Sequence, residues 1–152
     1  MKILEFKGDH KFLSNFHPCS VSYENVVFES VEHAYQYAKC YKSSDKTKIL
    51  SAKTAKESKF FGRSVKLRKD WDKVKDGIMT DLVKQKFSKE PLKSLLLATE
   101  SAKIIEGNFW HDNYWGNCLC DHCKNIRGRN MLGNILMGVR DELNKEIQTD
   151  LI

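Results

Sequence analysis

Ser30-Val31-Glu32-His33-Ala34-Tyr35-Gln36-Tyr37-Ala38-Lys39-Cys40-Tyr41 is the stretch from which the fold can be read. Ser30 is an N-cap by residue type, and no proline or glycine interrupts residues 31–41, where a helix is expected. At about 100° per residue, Ala34, Tyr35, Ala38 and Tyr41 fall within roughly 80° of Val31 and make an apolar arc. Glu32, Gln36 and Lys39 gather at about 80° to 140°, in a column spaced i, i+4, i+7. A carboxylate, an amide and an amine in one column can move a proton, orient a substrate and supply a nucleophile. A solvent-facing polar stripe explains the same spacing, because exposed Glu and Lys are common on helices.

Outward from this helix the pattern stays helical on the C-terminal side. Thr54-Ala55-Lys56-Glu57 reads as a capping box for a short helix stopped near Gly62. Asp70 is placed to cap a long helix to about Phe87, on whose inward face Trp71, Val74, Ile78, Leu82 and Val83 recur. Pro91 suits the first turn of a helix through Leu97, and residues 128–147 make the last, with Met131, Leu132, Ile135, Leu136, Val139 and Leu143 as its stripe. On the N-terminal side, residues 3–6 and 21–28 are β-like, separated by the turn-rich Ser14-Asn15-Phe16-His17-Pro18. The expected architecture is mainly α, an α+β chain with a small N-terminal β element, in one domain over residues 1–152.

Composition narrows the function classes. With 41% hydrophobic and 30% charged residues and two prolines, the chain is neither disordered nor collagen-like. No apolar run approaches the roughly 18 residues of a membrane span, and the N-terminal residues lack the apolar stretch of a signal peptide, so a cytoplasmic location is expected. Five cysteines without secretory context argue against a disulfide framework. The net charge of +6 is unevenly spread: Lys39 to Lys75 holds 13 Lys/Arg against 4 Asp/Glu. That excess favours an anionic partner, a phosphate-bearing small molecule or nucleic acid, although a solvated pair of lysine-rich helix faces has the same composition.

Two further segments carry chemistry. Phe109-Trp110-His111-Asp112-Asn113-Tyr114-Trp115-Gly116 is too polar and irregular for a buried strand. It could line a pocket, stacking on a heterocycle and reading its polar edge, or pack as an aromatic lid on the core. Cys118-Leu119-Cys120-Asp121-His122-Cys123 places three thiols within six residues, with His111 or His122 as a fourth metal ligand. A structural zinc site usually draws paired ligands from two knuckles, and Cys19 and Cys40 are isolated, so unligated thiols and no metal are the expectation. His10, His17 and His33 read as structural. Gly128-Arg129-Asn130-Met131-Leu132-Gly133 does not have the spacing of a dinucleotide fingerprint.

Several of these stretches together resemble the NADAR (YbiA-like) family of N-glycosidases. The matching residues are Phe12 to Phe16, Phe28 to Gln36 with Ala38-Lys39, Lys86-Phe87, Asp112 to Gly116, and Gly128 to Arg140 with Asn130, Leu132-Gly133 and Leu136-Met137. They run in the family's order over nearly the whole chain. The resemblance implies a largely helical, YbiA-like fold and cleavage of an N-glycosidic bond between a ribose phosphate or ADP-ribose moiety and a base-like or amino group. One branch of the family acts on phosphoribosylamino-pyrimidine intermediates of riboflavin synthesis, another on ADP-ribosylated guanine in nucleic acid.

The same resemblance makes Lys39 the active-site lysine, Glu32 its acidic partner, and Asn15, Trp71, Asp112, Trp115 and Asn130 ligand-contacting positions, with Gln36 beside them in the column. It implies no cofactor. The expected partner is an anionic ribose-phosphate-bearing substrate, with ADP-ribosylated nucleic acid as one form of it, and no membrane. A non-catalytic ADP-ribose or nucleic-acid binding module is the alternative. The chain departs from shorter members by an insertion, Cys118 to Arg127, whose position next to Trp115 bears on substrate choice.

Overall fold

Ser30 caps α1 (Val31–Ala38) through its Oγ, which accepts the His33 N–H at 3.1 Å. The structure, a computed structural model, describes residues 1–151. The helix is shorter than the expected 31–41. Cys40 leaves it to make a bridge with Leu67, so Lys39 becomes the C-cap, still with right-handed helical backbone. Because that backbone is unchanged, the helical wheel continues to Lys39.

Residues 15–88 form one compact unit around α1. The expected strand over 21–28 is a hairpin, β2 (Val21–Tyr23) against β3 (Val26–Phe28), turned by Glu24 and Asn25 at φ 48° and 65°. Two consecutive left-handed residues are what a two-residue hairpin turn demands, and Asn tolerates that backbone where most residues do not. Val21 and Phe28 are buried, and Phe28 meets both His33 and Tyr37 at ring separations of 5.2 Å.

α2 (Ser43–Leu50) has no counterpart among the elements expected from spacing. It contributes a single fully buried residue, Ile49, whose carbonyl meets His33 Nε2 at 2.7 Å. α3 (Ala55–Gly62) is capped as expected, Thr54 Oγ1 accepting the Glu57 N–H at 3.0 Å. α4 (Trp71–Lys86) forms where periodicity put it, but not through the predicted cap. The Asp70 carboxylate takes two bonds from Arg68, at 2.6 and 3.0 Å, and makes no side-chain cap bond. Gln85 of α4 pairs with the open edge of β2 like a strand, bonding the Ser22 N–H at 2.8 Å and its carbonyl at 2.9 Å.

The other unit joins Met1–Ser14 to the chain from Lys89 onward. β1 (Lys2–Ile3) runs parallel to β4 (Lys103–Ile104), and β5 (Gly107–Asn108) runs parallel to β6 (Asn117–Cys118). Strand is therefore present in both halves of the sequence, and each piece is too short to have shown a period of two. α5 (Leu92–Leu97) follows Pro91, and α6 (Met131–Asp150) begins three residues later than expected. The delay comes from Asn130, held in the left-handed region at φ 52°. α6 packs on β4 at Gly133, where a β-carbon would collide with the Ile104 carbonyl. Its predicted stripe is the buried face, through Leu132, Leu136, Val139 and Leu143.

Candidate functional site

Two of the three residues in the polar column of α1 are turned away from solvent. Glu32 is 7% exposed and Gln36 4%, which removes the solvated-stripe reading for both. Gln36 Nε2 donates to Glu32 Oε1 at 2.7 Å, as side chains four residues apart on a helix can. Gln36 Oε1 is buried and has no hydrogen-bond partner among the described residues. An orphaned buried amide oxygen costs about 1–3 kcal/mol, so it needs an explanation.

Gly62, on α3, makes the room. A β-carbon there would collide with Gln36 Oε1 and lie 3.1 Å from Lys39 Nζ. Spacing along the chain marks Gly62 only as a helix stop. Its second role depends on α3 packing against α1, which local spacing does not encode.

Lys39 sits half-buried at the end of the column, its carbonyl accepting the Arg68 N–H at 2.9 Å. Burial holds its amine below the usual lysine range. The negative charge of Glu32 pulls the other way, and the neighbouring cation Lys59 adds to the lowering. The direction is the one a nucleophilic amine requires.

The remaining predicted positions fall in both units. In the first, the Asn15 carbonyl accepts the Glu32 N–H at 3.0 Å, satisfying an otherwise open donor in the first turn of α1, and its Nδ2 lies 3.6 Å from Met79 Sδ. Trp71 is buried at 6% exposure with its ring 5.3 Å from that of Tyr35, so α1 already occupies part of its surface.

In the other unit, Asp112 Oδ1 accepts the N–H groups of Tyr114 and Trp115, at 3.0 and 2.9 Å, and so folds the aromatic loop. Trp115 packs edge-on to Tyr114 at 4.9 Å. Asn130 uses both ends of its amide on backbone, Nδ2 to the Ile104 carbonyl and Oδ1 from the Glu106 N–H, each 2.9 Å. The same loop brings together His111, Cys118, Cys120 and Cys123, the potential metal ligands; of the two histidines the sequence left open, His111 is the one that joins the thiols. Cys40 stays apart in the first unit, donating to the Gln36 carbonyl, its thiol pushed up to about 11 by burial.

Comparison with known proteins identifies the family of the chain. A model of the NADAR domain matches residues 5–144. Riboflavin biosynthesis protein VVA0006 of Vibrio vulnificus is 34% identical over 147 residues, covering 95% of this chain, which spans only 38% of that relative's length. N-glycosidase Npun_R5314 of Nostoc punctiforme is 36% identical over 136 residues, covering 86% of this chain and 83% of its own. The NMR structure of Escherichia coli YbiA superposes with a TM-score of 0.80 at 29% identity, over 97% of this chain and 86% of that one. With the family pattern matched over nearly its whole length and the YbiA fold shared, the chain belongs to the NADAR family, a family of N-glycosidase enzymes.

Proposed function

We propose that the protein hydrolyses the bond between C1 of a ribose phosphate and an exocyclic or base nitrogen, with a phosphoribosylamino-pyrimidine intermediate of riboflavin synthesis as its substrate. The observation that carries the reading is the column of α1, buried at Glu32 and Gln36 and half-buried at Lys39, in which a carboxylate, an unsatisfied amide oxygen and an amine of lowered proton affinity lie in sequence. Protonated Glu32 gives its proton to the leaving nitrogen as the C1–N bond breaks and the Lys39 Nζ–C1 bond forms. Nζ then returns a proton to Glu32, the sugar ring opens, and the adduct becomes an imine. Water hydrolyses the imine, releasing the sugar phosphate and restoring the amine. A protonated Glu32 also removes the charge that would keep Lys39 protonated, so the reactive pair is acid and neutral amine. Gln36 Oε1 accepts from a sugar hydroxyl in this scheme. Substrate contacts by Asn15 and Trp71, which lie in the same unit as Lys39, belong to the same proposal.

The riboflavin assignment is supported by the name of the Vibrio relative and its coverage of 95% of this chain. The basic segment from Lys39 to Lys75 favours a second substrate, ADP-ribosylated guanine in nucleic acid. Incubation with each compound separately, followed by product identification, decides between them. A non-catalytic module would leave both intact. Borohydride added during turnover should fix a sugar adduct on Lys39, and Lys39→Met should abolish adduct and turnover while the chain stays folded. Glu32→Gln should slow turnover by about 10²- to 10⁴-fold. Near-normal turnover by Lys39→Met would overturn the mechanism.

A further inference from the structure

We propose that His111 Nδ1 and the sulfurs of Cys118, Cys120 and Cys123 form a closed structural zinc site. The four donor atoms all lie within 4.8 Å of one another. From Nδ1 the distances to Cys118, Cys120 and Cys123 Sγ are 3.9, 3.3 and 3.5 Å. For Zn–S of about 2.3 Å and Zn–N of about 2.0–2.1 Å, the N···S edge of a regular tetrahedron is about 3.6 Å. The three distances straddle that edge. Three thiolates and one imidazole with no open position are the donor set of structural zinc.

The backbone that carries these ligands is held in place by its neighbours. Asn108 is 1% exposed. Its Oδ1 accepts the N–H groups of Trp110 and Asp112, at 3.3 and 3.1 Å, and its Nδ2 donates to the Asp112 carbonyl at 2.8 Å, so His111 stands at the apex of a clamped loop. Asn113 Oδ1 fixes the Cys118 N–H at 2.9 Å, while a 3-10 turn over Asp121–Cys123 bonds the Cys123 N–H to the Cys120 carbonyl at 3.1 Å. His111 itself has φ 70°, a conformation that is unfavourable for an L-residue and that a bound metal would stabilise. His122 stacks edge-on to His111 at 6.5 Å and does not belong to the donor set.

The expectation of free thiols rested on the missing second knuckle. The pairing of β5 with β6 supplies it, bringing the segment after Asn108 to the one after Asn117. Zinc uptake displaces three thiol protons to solvent and clips together a loop that includes Asp112 and Trp115. The proposal is independent of the chemistry assigned to Lys39.

The test is elemental analysis of protein purified under thiol reductant and without chelator. One zinc per chain is expected in the wild type and in His122→Ala, with loss in Cys120→Ser and in His111→Gln. Cobalt(II) replacing the zinc should give the intense visible bands of a tetrahedral thiolate site, a readout that needs no variant to fold. Chelation should lower Tm by several degrees, and zinc should restore it. Less than about a tenth of an equivalent of metal, an octahedral cobalt spectrum, or a Cys120–Cys123 disulfide in the reduced preparation would each overturn the site.

Discussion

Lys39 and Lys86 are both amines that burial makes easier to deprotonate, and their surroundings separate their consequences. Lys39 has Glu32 and the clearance provided by Gly62 beside it, whereas Lys86 is 2% exposed next to the Phe87 ring, with burial pulling its amine down to about 8. An unfolded lysine titrates near 10.4, so the folded pKa is the lower one. Below about pH 8 both states carry the proton, and this group adds no dependence of stability on pH. Between about 8 and 10.4 the unfolded chain binds the proton and the folded chain does not, so stability rises with pH by up to about 1.4 kcal/mol per unit. Lys86→Met should therefore lose that part of the rise with pH. Urea denaturation of both proteins from pH 7 to 10 measures the difference, and parallel curves would refute it.

At the scale of elements, the site depends on how closely α3 approaches α1. Leaving Gly62 without a side chain lets the two helices meet over Gln36, and the missing β-carbon is filled by the Gln36 amide. Gly62→Ala must push that amide or α3 aside, at about 1–3 kcal/mol for overpacking, an amount that exceeds the gain in helix propensity from glycine to alanine. The expected outcome is a modest fall in Tm with a much larger fall in kcat, because Gln36 would be displaced from Glu32. Equal kcat in the two proteins would show that the amide has no part in turnover. Elsewhere the element ends are set by local chemistry: Ser30 and Thr54 act as caps, whereas Asp70 is diverted to Arg68.

At the scale of the whole molecule, charge is the property that distinguishes one part of the chain from the rest. Lys53, Lys56, Arg63 and Lys66 are all exposed on or beside α3, and the segment from Lys39 to Lys75 carries an excess of +9 that the remaining chain does not share. Clustered exposed cations attract an anionic substrate over about one Debye length, roughly 10 Å at 0.1 M salt and 3 Å at 1 M. Charge reversal at two of these four positions should lower kcat/KM at low ionic strength and leave it nearly unchanged at 1 M salt. A salt titration of both proteins checks this, and an unchanged low-salt rate would reduce the segment to a solvated surface. Among the described residues no helix is long and apolar enough to cross a membrane.

The sequence by itself determined the features that depend on neighbours along the chain. The helical character, the caps at Ser30 and Thr54, the core stripe of α6 and the grouping of Glu32, Gln36 and Lys39 on one side of α1 all come from residue type and a period of 3.6. Family resemblance added the reading of that column as catalytic. α2 escaped because one buried residue, Ile49, leaves no stripe to detect, and β4, β5 and β6 escaped because two residues cannot show a period. Only the tertiary structure decided that Glu32 and Gln36 are buried, and the Gln36 amide packs against Gly62, 26 positions away. It likewise chose His111 over His122 as the partner of the three thiols. That choice comes from β5 pairing with β6, and a pairing between distant strands is fixed by the packing of the fold and has no signature in local spacing.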